Sequence, residues 1–159
     1  MKAATLHEIK RELGERPAEE LAAICLRLAK YKVENKELLT YLLYESGDEA
    51  GYLEGTRREV SEAFAAIPNT NLYYFKKSLR RILRLVNKHA RYSGKPSTEL
   101  ELRLHFCTCL RECGVDYARS PVIVNLYEQQ VKKVRTLLKA LPEDLHQDYQ
   151  GIADRLGAA

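Results

Sequence analysis

The sequence predicts an all-α protein of about eight helices, and three observations lead to this prediction. Apolar residues recur at intervals of three and four over most of the 159 residues, as they do on the buried side of an amphipathic helix. The breaks in this pattern fall at Gly and Pro, which end and begin helices. The segments between the breaks are rich in Leu, Ala, Glu, Lys and Arg, which favour helical backbone.

The pattern and its breaks place each helix along the chain. The predicted helices cover residues 5–13, 17–31, 34–46, 48–67, 70–92, 97–113, 121–141 and 142–156. Residues that favour the N-cap position stand at the start of several of these segments or directly before it; they are Asp48, Asn69 or Thr70, Ser97, and Ser120 followed by Pro121. In the third helix a pair of Leu doublets, Leu38–Leu39 and Leu42–Leu43, is predicted to face inward.

One segment fits a strand as well as a helix. Residues 99–106, ELELRLHF, alternate apolar and polar side chains with a period of two, which is typical of a half-buried strand. These residues are good helix formers without β-branching. The segment is therefore predicted to be helical.

Short connections between the helices predict how they pack. Connections of two to six residues favour antiparallel neighbours, so we expect antiparallel helical hairpins in a closed bundle or a short superhelical stack. The length predicts a single domain over residues 1–159, and no repeat of fixed period is found. In a stack, alternate helices share a face, so the fifth and seventh helices would lie side by side.

The chain lacks the sequence patterns that are typical of several classes of protein. No apolar run approaches the roughly 18–20 residues that span a membrane, and the N-terminus has no signal-peptide core. No phosphate-binding loop, GxSxG, HExxH or EF-hand pattern occurs. The four cysteines suit a reducing compartment, so we expect a cytoplasmic protein. A binding role without a cofactor is favoured over an enzyme, although an active site assembled from distant residues remains open.

The fifth helix carries the most distinctive charge pattern. At about 100° per residue, its apolar side chains occupy one arc and its basic side chains the opposite arc of about 140°, with Tyr73 among them. The basic residues of this arc are Lys76, Lys77, Arg80, Arg81, Arg84, Lys88 and Arg91. Residues 63–98 contain eight Lys or Arg and no acid, so the rest of the chain has 26 − 8 = 18 basic residues against 22 acidic ones. A net charge of +4 therefore conceals a strongly dipolar protein.

A second basic cluster lies on the seventh helix, and together the two clusters define a candidate binding face. Its residues are Lys132, Lys133, Arg135 and Lys139, with only Glu128 against them. Such a face suits the phosphates of a nucleic acid, with Tyr73 or Tyr74 stacking on a base. It also suits an acidic protein, a membrane surface, or the acidic residues of a second copy in a homodimer. A solvated face partly paired with the acids of residues 45–62 is the simplest alternative.

A cysteine-rich segment, HFCTCLREC, offers a different kind of site. On a helix His105, Cys109 and Cys113 are spaced by four and share one side, as zinc ligands would. Cys107 points elsewhere. The arc of Cys109 and Cys113 also holds apolar residues, and free Cys often fills such core positions. Buried thiols are therefore the favoured interpretation, with metal binding or redox chemistry as alternatives.

The order of the helices resembles a known family. The similar segments are PAEELAAICLRLAKY, ELLTYLL with the acidic turn SGDEA, FKKSLRRILRLV, HFCTCLRECGVDY and NLYEQQVKKV. In this order they resemble a family of small bacterial all-helical proteins classed as a domain of unknown function. The resemblance spans most of the chain and implies an all-α fold, but it implies no active residues.

Overall fold

The structure is a computed structural model that describes residues 1–68 and 71–157. These residues form eight α-helices and one π-helical segment, Tyr41–Glu45, and no strand is present among them. The α-helices are α1 (Leu6–Gly14), α2 (Ala18–Tyr31), α3 (Val33–Thr40), α4 (Glu49–Ala65), α5 (Leu72–Ser93), α6 (Pro96–Glu112), α7 (Pro121–Ala140) and α8 (Glu143–Arg155). The predicted all-α class and the number of helices are confirmed. No helix of the described residues is long and apolar enough to cross a membrane.

Two of the predicted helix starts are confirmed, and one is wrong. Asp48 caps α4 by accepting a hydrogen bond from the backbone N of Gly51 at 3.0 Å, and Ser120 precedes α7. Ser97 is not the N-cap of α6, because the helix already begins at Pro96. Proline favours the first helical position, where its missing N–H has no helical partner.

The start of α5 is held by an asparagine one position beyond the predicted caps. Asn71 Oδ1 accepts from the backbone N atoms of Tyr73 and Tyr74 at 3.1 and 3.2 Å. The predicted caps Asn69 and Thr70 lie outside the described residues. At the other end Gly94 has φ of 66°, a left-handed conformation that glycine adopts without a steric penalty. The long basic helix therefore has a defined start and a defined end.

The chain divides into two compact units, Met1–Tyr44 and Glu45–Ala159. In the first unit α2 and α3 are joined by the extended residue Lys32 and contact each other. The inward-facing prediction is wrong for Leu42 and Leu43, which are exposed. They lie in the π-helical segment, where i→i+5 bonding changes the angular step and displaces the apolar stripe. That the whole chain forms one domain stays a prediction.

The second unit is built around α6. This helix packs on α4, α5 and α7, while α4 packs on α5 and α8 packs on α7. Leu100, Leu102, Leu104 and Phe106 are all almost fully buried, so the alternating segment is a helix buried around its circumference. Such a helix has no single apolar stripe. The helical prediction for residues 99–106 is confirmed, and the alternation reflects central packing.

Candidate functional site

The basic side of α5 is exposed because its other side belongs to the core. Phe75, Leu79, Ile82, Val86 and Ala90 recur at intervals of three or four and are buried. They pack with side chains of α4 and α6 in one hydrophobic cluster. Burial of this stripe fixes the rotation of the helix. The residues between the apolar positions consequently face solvent.

Seven basic side chains of α5 form what we call the α5 basic face. Its residues are Lys76, Lys77, Arg80, Arg81, Arg84, Lys88 and Arg91. All are exposed except Lys76 and Lys88, which are half-buried. Within the part of the chain that the structure describes, the five exposed side chains form no ion pair with an acid. Their charges are therefore available to an external anion.

Two tyrosines lie at the N-terminal end of this face. Tyr73 and Tyr74 are 63% and 53% exposed, and their ring centroids are 5.4 Å apart in an edge-to-face arrangement. Lys76 Nζ lies 5.7 Å from the centroid of the Tyr73 ring, within the range of a cation–π contact. Exposed rings beside basic side chains provide both a stacking surface and a charge.

A groove of about 540 Å³ runs between α4 and α5. Arg81, Arg84 and Lys88 line one side, and Glu59 and Glu62 line the other. The groove therefore places part of the basic face opposite acids of the same protein, so its charge is partly balanced there. The side of the face that carries Lys77 and Arg80 lies away from this groove, since neither residue lines it.

Two acids of residues 45–62 pair with residues outside the α5 basic face. Glu49 Oε2 lies 3.0 Å from Lys95 Nζ, and Glu59 Oε2 lies 3.4 Å from His89 Nε2. His89 contributes charge only when it is protonated. Both pairs lie beside the face and involve none of its seven basic residues, so a solvated face partly paired with these acids stays a prediction.

A buried arginine of α6 connects α5 to α7. Arg103 Nη1 donates to Gln130 Oε1 of α7 at 2.6 Å, and Nη2 donates to Asn87 Oδ1 of α5 at 3.1 Å. Its Nε and Nη2 also donate to Glu99 Oε1 at 2.8 and 2.5 Å. Arg103 was not predicted from the sequence as a functional residue. Its signal was an Arg four positions after a Glu within the alternating apolar and polar residues 99–106.

This network sets the relation between the two basic clusters. One turn beyond Asn87 and Gln130, Arg91 of α5 and Lys133 of α7 line the same cavity of about 390 Å³. Asn87 precedes Arg91 along α5, and Gln130 precedes Lys133 along α7. The two helices therefore run in the same direction on either side of Arg103. Both helices pack on α6. Lys132, Arg135 and Lys139 are exposed, and Arg135 also donates to the backbone oxygen of Gly157.

The structure brings only two members of the proposed metal site together. Cys109 Sγ lies 3.5 Å from His105 Nε2, whereas Cys113 Sγ donates to the backbone oxygen of Leu110 at 3.0 Å. Residues 1–68 and 71–157 contain no group of three or more His, Cys, Asp or Glu arranged to hold a metal ion.

The pair of His105 and Cys109 lies at the packing surface of α4 and α6. His105 Nε2 is 2.8 Å from Ser61 Oγ and 3.1 Å from the backbone oxygen of Arg57. Burial and the charge of Arg57 lower the pKa of His105, and burial raises the pKa of the Cys109 thiol. Both shifts favour neutral groups, whereas a nucleophilic cysteine needs a thiolate. The arrangement is that of a polar packing contact.

The buried cysteine of α6 is Cys107, which was predicted to lie on a different side of the helix from Cys109 and Cys113. Cys107 is fully buried, while Cys109 and Cys113 are half-buried. Burial raises the pKa of Cys107 to about 12. The interpretation of Cys109 and Cys113 as core thiols is therefore only partly right, because α6 has neighbours on several sides.

A second charged cavity, of about 530 Å³, lies among α4, α6 and α8. Arg57, Arg111 and Arg155 line it together with His105 and Glu112. Arg57 Nη2 donates to Glu101 Oε2 at 2.6 Å, while its buried Nε has no hydrogen-bond partner in the described part of the chain. Glu101 and Glu112 offset two of the three positive charges. The α5 basic face is therefore the stronger candidate for binding an anion.

Comparisons with protein-family models, with curated proteins and with solved structures find no match to this chain. The function proposed below consequently depends on the described residues themselves.

Proposed function

We propose that this protein binds a nucleic acid, without catalysis, through the α5 basic face. The observation that carries the proposal is the set of exposed Lys and Arg side chains that have no acidic partner among the described residues. From Lys77 to Arg91 these charges extend over about 21 Å of helix axis at 1.5 Å per residue. A row of this length reaches several successive phosphates of a nucleic acid, since each strand carries a charge about every 3.4 Å.

Unpaired charges favour binding because no internal ion pair has to be broken first. Each phosphate that a Lys or Arg neutralises releases condensed counterions, which makes the affinity depend on salt. If the five exposed side chains each contact one phosphate, the slope of log K against log salt is about −3.5 for a single strand and about −4.5 for a duplex. A measured slope thus counts the contacts.

The two exposed tyrosines favour a single strand over a duplex. An aromatic ring stacks on an unpaired base with about 1–3 kcal/mol, whereas the bases of a duplex are already stacked on each other. Tyr73 and Tyr74 lie beside Lys76 at the start of the face. We therefore expect tighter binding to single-stranded oligonucleotides, and we expect Tyr73→Ala/Tyr74→Ala to remove that preference.

The cluster on α7 supports a longer contact. Arg91 of α5 and Lys133 of α7 line one cavity, so Lys133 extends the basic surface from α5 to α7. Arg135 and Lys139 lie about 200° and 240° around α7 from Lys133 at 100° per residue, so they belong to a different side of that helix.

The four free cysteines support a reducing compartment, and we propose the cytoplasm.

Fluorescence anisotropy of labelled single-stranded and double-stranded oligonucleotides, at low and near-physiological salt, tests this proposal. Arg80→Glu/Arg84→Glu should abolish binding. The matched control Lys2→Glu/Lys36→Glu makes the same change in net charge at exposed positions of the first unit and should leave binding nearly unchanged. Equal loss in both variants would indicate an effect of net charge alone.

Absence of binding at low salt would refute the proposal, because screening is weakest there. The α5 basic face would then be a candidate for an acidic protein surface, including the acidic residues of a second copy. A pull-down with the wild type and the Arg80→Glu/Arg84→Glu variant would separate that possibility from a solvated face.

A further inference from the structure

Tyr41 of the π-helical segment is the only buried side chain of the first unit, all of which the structure describes. No side chain of α1, α2 or α3, all of which the structure describes, is fully buried. Several large apolar side chains are instead exposed, among them Leu6, Ile9, Leu13, Ile24 and Leu28. Units of about 40 residues rarely bury enough surface to be stable alone and commonly use oligomerisation. We propose that α1 and α2 form the interface of a homodimer.

The first half of this interface is an open apolar groove. Leu6, Ile9 and Leu13 lie at i, i+3 and i+7 of α1, hence on one side of the helix. Ile9 and Leu13 face Ile24 of α2 across a groove of about 380 Å³. Glu8, Glu12 and Arg16 also line this groove and give it a net negative charge, so an apolar surface flanked by positive charge fits it best.

The second half is the end of α2. Leu28 and Tyr31 continue the stripe of Ile24 by one and two turns, and they are 55% and 77% exposed. Arg27 and Lys30 adjoin them in the sequence and are also exposed. This end of α2 therefore combines apolar and basic side chains, which is the chemistry that the groove accepts.

Charge complementarity identifies a second copy of this chain as the occupant. Residues 8–20 contain five acids and three bases, a net charge of −2, whereas residues 27–32 contain three bases and no acid. A two-fold axis that sets two copies antiparallel places the acidic end of each on the basic end of the other. Each copy then contributes the same groove and the same α2 end, as an isologous interface requires.

Mass measurement of the full chain tests this interface. Light scattering or sedimentation of the wild type should give twice the chain mass of 18.3 kDa. Ile9→Glu should reduce the mass to that of one chain. The control Leu26→Glu alters a side chain that is 58% exposed but lies about 200° around α2 from Ile24, at 100° per residue, and should leave the dimer intact. Circular dichroism verifies that each variant is folded.

A charge exchange tests the register and the identity of the partner. Glu12→Lys alone should weaken the dimer, as should Lys30→Glu alone; Glu8 is left in place because its carboxylate accepts from Thr5 N and caps α1. The chain that carries both changes should recover the dimer, because each copy again presents opposite charges to its partner. A monomeric wild type at every concentration, a dimer that Ile9→Glu leaves intact, or failure of the double variant to recover would each overturn the proposal. A monomer would direct the search for the occupant of the groove to another protein.

Discussion

Replacement of Arg103 by Met should destabilise the second unit by about 3 kcal/mol. The side chain of Arg103 is only 5% exposed, and its four hydrogen bonds reach α5, α6 and α7. Met has a long unbranched side chain that fills irregular space in a core, but it donates no hydrogen bond. The variant therefore removes the polar contacts while it preserves most of the packing.

The magnitude follows from the partners that remain. Gln130 is buried, so its acceptor oxygen loses its partner and cannot reach water, which costs about 1–3 kcal/mol. The Glu99 side chain is 34% exposed, so its carboxylate regains solvent and contributes less. Breaking a buried ion pair from one side commonly costs about 3–5 kcal/mol. The exposure of Glu99 places the expected loss at the lower end of that range.

Urea unfolding of the wild type and the variant provides the measurement. With a slope of about 2 kcal/mol per molar, a loss of 3 kcal/mol lowers the midpoint by roughly 1.5 M. Arg84→Met is the matched control, since Arg84 is exposed and unpaired among the described residues. We expect it to change the free energy of unfolding by no more than about 0.5 kcal/mol.

Two results would contradict this reasoning. If Arg103→Met were within about 0.5 kcal/mol of the wild type, the network would contribute nothing that apolar packing does not replace. The second concerns Arg103→Met/Gln130→Leu, which removes the stranded acceptor and should recover part of the loss. If this double variant were less stable than Arg103→Met alone, an orphaned Gln130 would not be the cause.

Three further predictions concern titratable groups. Iodoacetamide should alkylate the exposed Cys25 well before Cys109, whose thiol has a raised pKa; equal rates by mass spectrometry would indicate a thiolate activated by His105. Because the pKa of His105 is lowered from 6.5, its contribution to the free energy of unfolding is complete above pH 6.5 and is lost as the pH falls through its folded pKa. Stability of His105→Gln should therefore fall less on acidification, and an equal fall would disprove this. Burial and the hydrogen bond to Glu101 raise the pKa of Tyr149 from 10.0 to about 12. The contribution of Tyr149 to the free energy of unfolding should therefore be lost between pH 10 and 12. The melting temperature of Tyr149→Phe should decline less steeply over that pH range than that of the wild type.

Local features of the sequence were sufficient to predict the α5 basic face. Its apolar and basic residues occupy opposite arcs of one helix, and only one side of α5 enters the core. Whenever a helix packs by a single side, the period of its apolar residues specifies which side chains reach solvent. The exposure of Arg80, Arg84 and Arg91 follows from that rule. Whether this face binds a nucleic acid stays a proposal.

The same reasoning was less successful for α6. Its residues 99–106 alternate between apolar and polar side chains, yet Leu100, Leu102 and Leu104 are buried against different neighbours. No stripe exists on a helix that packs on three others, so the periodicity could not identify Cys107 as the buried thiol or Arg103 as a buried ion. Those assignments depend on which helices surround α6.

The sequence by itself determined the helical class, most of the helix ends and the exposed basic side of α5, because propensity, caps and amphipathic period act over one or two turns. Only the tertiary structure decided that Arg103 joins α5 to α7, that His105 meets Cys109 without Cys113, and that the apolar side of α1 and α2 lacks cover within its unit. These relations join residues far apart in the chain or depend on what surrounds a helix, and no local pattern encodes which surfaces meet.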